Sequence, residues 1–131
     1  MDLLTVEKKL IEIANWPENW NGYGCNPPTR GSIVRAYVWL RDIALPVCDG
    51  RIDTMTSGCW GEVFLEWWKG MKKLSIAIDE QTIDGLCFNM SLPQGHPWEF
   101  MDVLCTKREQ FAAAWNWLMD AEQMVVLDPE V

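Results

Sequence analysis

The sequence predicts an α+β fold, because the period of its apolar residues changes along the chain and then changes back. Apolar residues recur every three or four positions in residues 3–15 and 29–44, every second position between about 59 and 90, and every three or four again after residue 106. No linker, internal repeat or low-complexity tract interrupts this plan. Residues 1–131 are therefore predicted to form one domain, with two N-terminal helices, an antiparallel meander of three or four strands, and a C-terminal helix packed on the sheet.

Two amphipathic helices are expected before any strand. The first covers residues 3–15, with Asp2 as its N-cap. The second covers about residues 29–44, with Thr29 as its N-cap and Pro46 at its end. The predicted apolar faces are Leu3, Val6, Leu10, Ile13 and Ala14 in the first helix, and Ile33, Tyr37, Leu40 and Ala44 in the second.

The strands begin with a hairpin around Lys69-Gly70. Apolar and polar residues alternate on both sides of this dipeptide, which is typical of strands buried on one face. A two-residue turn at Lys69-Gly70 sorts apolar and charged pairs onto opposite faces. A longer or bulged loop is the alternative, because lysine is unusual at a turn position with positive φ. The predicted pairs are Leu65 with Leu74, Val63 with Ile76, and Glu66 with Lys73.

The rest of the chain predicts one or two further strands and the last helix. A third strand covers about residues 82–90, and its buried face stays undecided because both faces carry apolar residues. Residues 98–105 supply a short fourth strand. Thr106 and Glu109 form a predicted capping box, and residues from about 125 onward are expected to be an acidic, partly loose tail. The apolar face of the last helix comprises Phe111, Ala114, Trp115, Leu118 and Met119.

Composition argues against several classes of function. Nineteen acidic residues against eleven basic ones give a net charge of -8, which disfavours direct binding to nucleic acid or to anionic lipid. No apolar run is long enough to span a membrane, and the first residues lack the features of a signal peptide. The cysteines form an odd set without C-x-x-C spacing, so they are expected to be reduced core residues of a cytoplasmic protein. They are Cys25, Cys48, Cys59, Cys87 and Cys105.

No residue pattern indicates a catalytic, cofactor or metal site. His96 is the single histidine and lies in a turn-rich loop, where a structural role competes with a role as a base. A zinc site needs three or four ligands in a recognisable arrangement, and none is apparent. Acidic pairs such as Glu62 with Glu66 are explained by solvated surface as well as by acid–base chemistry. The chain is therefore predicted not to be an enzyme and to use no metal or cofactor.

The most distinctive segment is the loop from Glu18 to Thr29, which carries Trp20 and Tyr23 between flexible glycines and two prolines. These two rings either grip a ligand or partner, or anchor the loop in the core. The run Trp20-Asn21-Gly22-Tyr23-Gly24-Cys25-x-Pro27-Pro28, followed by a helix and then Leu65-Glu66-Trp67-x-Lys69-Gly70, resembles a group of small uncharacterised bacterial and phage-borne proteins with a W-(D/N)-G-Y-G-(A/C)-x-P-P signature. The resemblance covers about residues 16–90 and implies a helix followed by a β-meander, without an associated activity.

Nine tryptophans are more than one small core is expected to enclose. By strict alternation Trp67 faces the core, while Trp68 shares the opposite sheet face with Phe64. Ala77 belongs to the same face as Trp68, and Phe88 does so in one of the two facings of the third strand. That face is either covered by the C-terminal helix or open to solvent. If it is open, it forms an apolar patch with a charged rim, which is typical of protein-interaction surfaces. The side chains predicted to contact a partner are Phe64, Glu66, Trp68, Trp20 and Tyr23.

The acidity, the aromatic surface and the resemblance together predict a non-enzymatic protein-interaction module that binds a basic protein. An acidic inhibitor or antidote carried by a phage or mobile element fits this description. The alternative is a small-molecule-binding protein or minor enzyme, with a pocket between the loop Trp20–Pro28 and the sheet that contains Tyr23, Cys25 and His96. A homodimer through the exposed sheet face is a third hypothesis.

Overall fold

In a computed structural model of the chain, residues 1–97 and 99–120 are described, and they contain four α-helices and five strands. The predicted α+β class is confirmed, with one strand more than expected. The predicted tail from about residue 125 lies outside the described residues. The helices are α1 (Leu3–Ala14), α2 (Arg30–Trp39), α3 (Leu45–Cys48) and α4 (Arg108–Met119), and a π-helical segment, Leu40–Ala44, joins α2 to α3. The strands are β1 (Thr54–Ser57), β2 (Val63–Lys69), β3 (Lys72–Ile78), β4 (Ile83–Asn89) and β5 (Phe100–Val103).

The strands form a single antiparallel sheet in which spatial order equals sequence order, from β1 to β5. The predicted meander is therefore confirmed, and β1 extends it at one edge. This strand is missing from the prediction because its sequence, Thr54-Met55-Thr56-Ser57, is short and carries a single strongly apolar residue. In β4 the buried residues are Gly85, Cys87 and Asn89, which decides the facing of the third predicted strand.

The β2–β3 hairpin turns at Gly70-Met71 and not at Lys69-Gly70. Gly70 has φ +57°, at the first central position of a two-residue turn, where a residue without Cβ is favoured. The strand register is consequently shifted by two residues from the prediction. A shift of two keeps each side chain on its predicted face, because the side-chain period of a strand is two. The observed partners are Ile78 for Val63, Ile76 for Leu65, Leu74 for Trp67, and Ser75 for Glu66.

Side-chain caps explain where α1 and α2 begin. The Asp2 carboxylate accepts a hydrogen bond from the backbone N–H of Thr5 at 2.8 Å, as expected for an N-cap. The Thr29 hydroxyl accepts one from the backbone N–H of Ser32 at 3.2 Å. Both predicted caps are thus confirmed. None of the described helices is long and apolar enough to cross a membrane.

The second helix does not end at Pro46. The chain widens into the π-helical segment, in which the N–H of Leu45 donates to the carbonyl of Leu40, and then continues as α3 to Cys48. Pro46 is the second residue of α3 and has no N–H to donate, and the carbonyl of Asp42, four residues before it, instead accepts hydrogen bonds from the Arg108 guanidinium at 2.8 and 3.1 Å. The wider turn therefore accommodates a residue that normally stops a helix.

Helix α4 begins close to its predicted start, but Gln110 and not Glu109 caps its first turn. The side-chain oxygen of Gln110 accepts hydrogen bonds from the backbone N–H groups of Thr106 at 3.0 Å and Lys107 at 3.1 Å. Gln110 thus has the role that the prediction gave to Glu109, one residue further along the helix. The helix buries Trp117 in addition to the predicted Phe111, Ala114 and Leu118, while Trp115 and Met119 are half-buried.

Tryptophans form the centre of the core between the helices and one face of the sheet. The ring of Phe111 lies 5.2 Å from that of Trp39 and 5.5 Å from that of Trp67. The indole N–H of Trp39 donates to the carbonyl of Cys105 at 2.7 Å, and that of Trp67 to the carbonyl of Arg51 at 2.6 Å. Both large rings are therefore buried without leaving the indole N–H unpaired.

The prediction that all five cysteines are reduced is wrong. Cys25 and Cys59 form a disulfide between the loop after α1 and the connection from β1 to β2, across 34 positions of sequence. An isolated bridge between Asn26 and Trp60 aligns the two segments, a tertiary contact that cysteine spacing cannot reveal. The other three cysteines are free and buried, as expected. The disulfide removes the observation on which the cytoplasmic expectation depended.

Candidate protein-binding surface

One face of the sheet carries no helix among the described residues, and we call it the outer face. The opposite, inner face lies in the core, where Trp67 packs against Phe111 of α4. The alternative in which the C-terminal helix covers the outer face is therefore wrong. By strand register the outer face comprises Thr54 and Thr56; Phe64, Glu66 and Trp68; Lys73, Ser75 and Ala77; Asp84, Leu86 and Phe88; and Phe100 and Asp102.

A row of large side chains crosses four strands of the outer face. Trp68 lies opposite Lys73, which lies opposite Phe88, which lies opposite Phe100. The rings of Phe88 and Phe100 are stacked, with centroids 4.4 Å apart and planes within 2°. The ammonium nitrogen of Lys73 lies 5.6 Å from the centroid of the Phe88 ring. Trp68 is 37% exposed and Phe100 is 52% exposed, so the row presents aromatic surface to solvent.

The outer face carries more negative than positive charge. Its acidic residues are Glu66, Asp84 and Asp102, and its single basic residue is Lys73. Lys73 and Glu66 form an ion pair of 3.2 Å, diagonally across the strands and not directly opposite as predicted. Within residues 1–97 and 99–120, neither Asp84 nor Asp102 forms an ion pair. Two carboxylates of this face are thus available to an external cation.

The predicted contact residues fall into two groups. Phe64, Glu66 and Trp68 lie together on the outer face, as alternation predicted. Trp20 and Tyr23 lie in the loop after α1, close to the end of the sheet where β2 begins. The contact residues predicted from the sequence did not include Phe100 and Asp102, because their position beside Trp68 depends on the register of β4 and β5. Phe88 was predicted to share this face with Trp68 in only one of the two facings of its strand, and the register of β4 places it there.

The two rings of the loop have different roles. The ring of Trp20 lies 4.8 Å from that of Trp16, and its N–H donates to the carbonyl of Asn26 at 3.2 Å, so it anchors the loop. Tyr23 is 90% exposed. Its backbone N–H donates to the side-chain oxygen of Asn21 at 2.9 Å, which holds the turn. Tyr23 is therefore presented to solvent, while Trp20 is half-buried.

Trp60 is a further exposed ring, and no sequence pattern marks it as a contact residue. It is 89% exposed and follows Cys59, the disulfide partner of Cys25. Its backbone N–H donates to the carboxylate of Glu62 at 3.2 Å. A second exposed ring thus lies on the connection that the disulfide ties to the Tyr23 loop. The sequence does not predict that the segments of these two exposed rings are joined. The number of cysteines is odd, and nothing in their spacing marks Cys59 as the partner of Cys25.

The structure does not bring Tyr23, Cys25 and His96 into one pocket. Asn26 bridges to Trp60 at the end of the sheet where β2 begins. The loop that contains His96 follows β4 at the opposite end, where Met90 donates to the carbonyl of Met71 in the hairpin turn. Strand β2 has seven residues, so the two ends of the sheet lie about 20 Å apart. Cys25 is moreover bonded to Cys59 and offers no thiol.

A shallow groove lies beside the aromatic row, at the end of β4 and the beginning of β5. Its volume is about 490 Å³. Among the described residues, no group of three or more His, Cys, Asp or Glu side chains is arranged to hold a metal ion. The groove is thus a mainly apolar feature with two polar side chains and no metal site. It is lined by Phe88, Met90, Leu92, Gln94, Glu99 and Phe100.

Comparison of the chain with protein-family models, with curated proteins and with solved structures finds no match. The similarity of the segment from Trp20 to Pro28 to phage-borne proteins stays a prediction from that motif. A functional proposal therefore depends on the chemistry of the outer face.

Proposed function

We propose that the chain is a non-enzymatic protein-interaction module, which binds a protein with a basic and partly apolar surface through its outer face. The observation that carries this proposal is the row of Trp68, Phe88 and Phe100, exposed at both ends, on the same face as two carboxylates, Asp84 and Asp102, that form no ion pair among the described residues. Exposed aromatic side chains on a rigid sheet lose little conformational entropy when they are buried by a partner.

The aromatic row supplies affinity and the carboxylates supply selectivity. A partner can bury only the part of each ring that the fold leaves exposed, which is 37% of Trp68 and 52% of Phe100, and this burial contributes about 25 cal/mol per Å² of apolar area. The carboxylates and the net charge of -8 attract a basic partner and accelerate its association. A second copy of the chain would bring the same negative face, so the homodimer hypothesis is disfavoured by charge.

An acidic inhibitor or antidote that covers a basic site of its target is the role that this chemistry suits. Carriage by a phage or mobile element is part of the proposal and depends on the resemblance of the segment from Trp20 to Pro28. A cytoplasmic location requires the disulfide between Cys25 and Cys59 to persist against reducing thiols, or to form only under oxidising conditions.

The test is affinity purification with the full chain and two matched double variants. Trp68→Ala with Phe100→Ala removes the ends of the aromatic row. Ile11→Ala with Val34→Ala removes two exposed apolar side chains of the helical layer and serves as the control. We expect a basic protein that the wild type and the control retain and that the outer-face variant loses.

Once that protein is purified, its dissociation constants for the wild type and the two double variants are measured and compared. We expect the outer-face variant to raise Kd by about tenfold or more. We expect binding to weaken as salt rises from about 50 mM to about 500 mM, because the complementary charges become screened. Equal affinity of the two double variants, or binding that is indifferent to salt, would refute the proposed function.

A further inference from the structure

The register of β4 and β5 determines which backbone groups of β5 are free. The N–H of Asn89 donates to the carbonyl of Glu99 at 2.9 Å, so these two residues form a hydrogen-bonded pair. Hydrogen-bonded and non-bonded pairs alternate in antiparallel strands, so Phe100 and Asp102 direct their N–H and C=O groups away from β4. No described strand pairs with that side, because β5 is the last strand of the sheet. Within residues 1–97 and 99–120, β5 thus offers a short row of donors and acceptors that no other strand uses.

The side chains along this edge alternate between apolar and acidic. Phe100 is 52% exposed, Asp102 is exposed, and Leu104, two residues further, is 70% exposed. Asp102 forms no ion pair within the described part of the chain. Cross-strand neighbours interact directly, so a strand added here would meet an apolar, an acidic and an apolar side chain in turn.

The groove described above continues this edge at the Phe100 end. Phe88, Met90 and Leu92 provide most of its apolar lining, and Phe100 belongs to both the groove and the edge. Methionine adapts its shape to different apolar side chains. A chain that pairs with β5 can therefore place an apolar residue against Phe100 and the groove.

We propose that β5 is a docking edge for an extended basic segment of the partner protein, which adds to the sheet as a sixth, antiparallel strand. The segment carries a lysine or arginine opposite Asp102 and apolar residues two positions to either side, one against Phe100 and the other near Leu104. This inference rests on the proposed function and gives it a recognition mode and a residue pattern.

Charge distinguishes this occupant from a second copy of the chain. Antiparallel pairing of two β5 strands about a two-fold axis would bring two Asp102 carboxylates close together. Like charges on neighbouring strands are destabilising, and a charged residue on an edge strand is a common device against self-pairing. The same carboxylate attracts a cationic strand, so Asp102 excludes one occupant and selects the other.

The test uses a defined peptide, acetyl-Ser-Val-Thr-Lys-Thr-Val-Ser-amide, and the full chain. We expect the peptide to slow hydrogen exchange at the backbone amides of Phe100 and Asp102, because both N–H groups gain an acceptor. The same peptide with glutamate in place of lysine should bind at least about threefold more weakly. A methyl group on the backbone nitrogen of the lysine should abolish binding, because that N–H donates to β5 in the proposed pairing.

Two charge reversals in the protein separate a direct contact at the edge from the effect of net charge. Asp102→Lys should invert the preference, so that the glutamate peptide binds more tightly than the lysine peptide. Glu7→Lys, at an exposed position of α1 outside the outer face, is the matched control, and it should leave the preference for the lysine peptide in place. Circular dichroism of both variants checks that each is folded.

Three results would overturn the proposal: no peptide binding, equal affinity for the lysine and glutamate peptides, or unchanged exchange at Phe100 and Asp102. A basic partner that needs Trp68 but is indifferent to Asp102→Lys would refute the docking edge alone. The proposed function itself would be refuted by a different result: a partner that binds equally well to the wild type and to the variant Trp68→Ala with Phe100→Ala.

Discussion

The ammonium group of Lys72 donates a hydrogen bond to the backbone carbonyl of Trp117 at 2.6 Å, and so joins the start of β3 to the last turn of α4. Lys72 also donates to the carbonyl of Asp120, and its nitrogen lies 5.0 Å from the centroid of the Trp117 ring. The residue is only 7% exposed, and its burial lowers the pKa of the amine. Carbonyls at a helix C-terminus lack intrahelical donors, so a cation at this position stabilises the end of α4.

Replacing Lys72 by methionine should therefore destabilise the protein. The substitution keeps much of the apolar stem and leaves the Trp117 carbonyl without this donor, which costs about 1–3 kcal/mol. Lys69 is the matched control, because it donates to the carbonyl of Met119 at 2.6 Å from an exposed position. We expect Lys69→Met to cost less than about 1 kcal/mol. Urea denaturation followed by circular dichroism measures both, and equal costs would contradict the buried role of Lys72.

Alternation along β2 was sufficient to predict which side chains share a face, because a face depends only on the parity of the position. Phe64, Glu66 and Trp68 were therefore placed together correctly, even though the hairpin register was wrong by two residues. Register itself depends on the turn, and Gly70 fits the first as well as the second position of a two-residue turn. The sequence alone does not choose between them.

The rest of the candidate site depends on contacts between distant segments. Phe88, Phe100 and Asp102 join Trp68 only through the pairing of β3, β4 and β5. The disulfide likewise depends on how the loop after α1 meets the β1–β2 connection. The periodicity of apolar residues within one segment carries no information about which segments pair. The aromatic row was therefore predicted only in part.

The disulfide between Cys25 and Cys59 should contribute measurably to stability. Closing a loop of this length restricts the unfolded chain, and its loss is expected to cost about 2–4 kcal/mol. Peptide mass spectrometry without reduction should find Cys25 and Cys59 linked. Thermal unfolding of Cys25→Ser with Cys59→Ser should occur at a lower temperature than that of the wild type. Free thiols at both positions in protein purified without reductant would refute this prediction.

Gly85 should not tolerate a side chain, because β5 lies close to it. A Cβ atom at this position would be 2.9 Å from the carbonyl oxygen of Val103 and 2.8 Å from its Cγ2. Gly85→Ala should therefore force β4 and β5 apart and cost about 1–3 kcal/mol.

Gly31 provides the matched control for this substitution. A Cβ on Gly31 would be 2.7 Å from the side chain of Glu80, which is exposed and can rotate away. Alanine also has a higher helix propensity than glycine, so Gly31→Ala should be neutral or slightly stabilising. Urea denaturation measures the free energy of unfolding of both variants. Similar losses of stability for both would show that the close contact between Gly85 and β5 is unimportant.

The buried thiols of Cys87 and Cys105 should make the protein sensitive to alkaline pH. Burial raises the pKa of each thiol from its ordinary 9.0 to about 12. Between these values the unfolded chain loses the two protons while the folded chain retains them. The stabilising contribution is therefore complete below pH 9 and is lost as pH rises toward 12, by about 1.4 kcal/mol per pH unit for each thiol.

Cys87→Ala and Cys105→Ala should each flatten the fall in the free energy of unfolding above about pH 9, although the cavity lowers stability at every pH. The slope, and not the absolute stability, is thus the diagnostic quantity. Iodoacetamide should react with neither thiol in the folded protein near pH 8.5 and with both in urea, because only the exposed thiolate is nucleophilic. Rapid labelling of Cys87 or Cys105 in the native state, or an alkaline slope identical in wild type and variants, would show that these thiols do not stay protonated inside the fold.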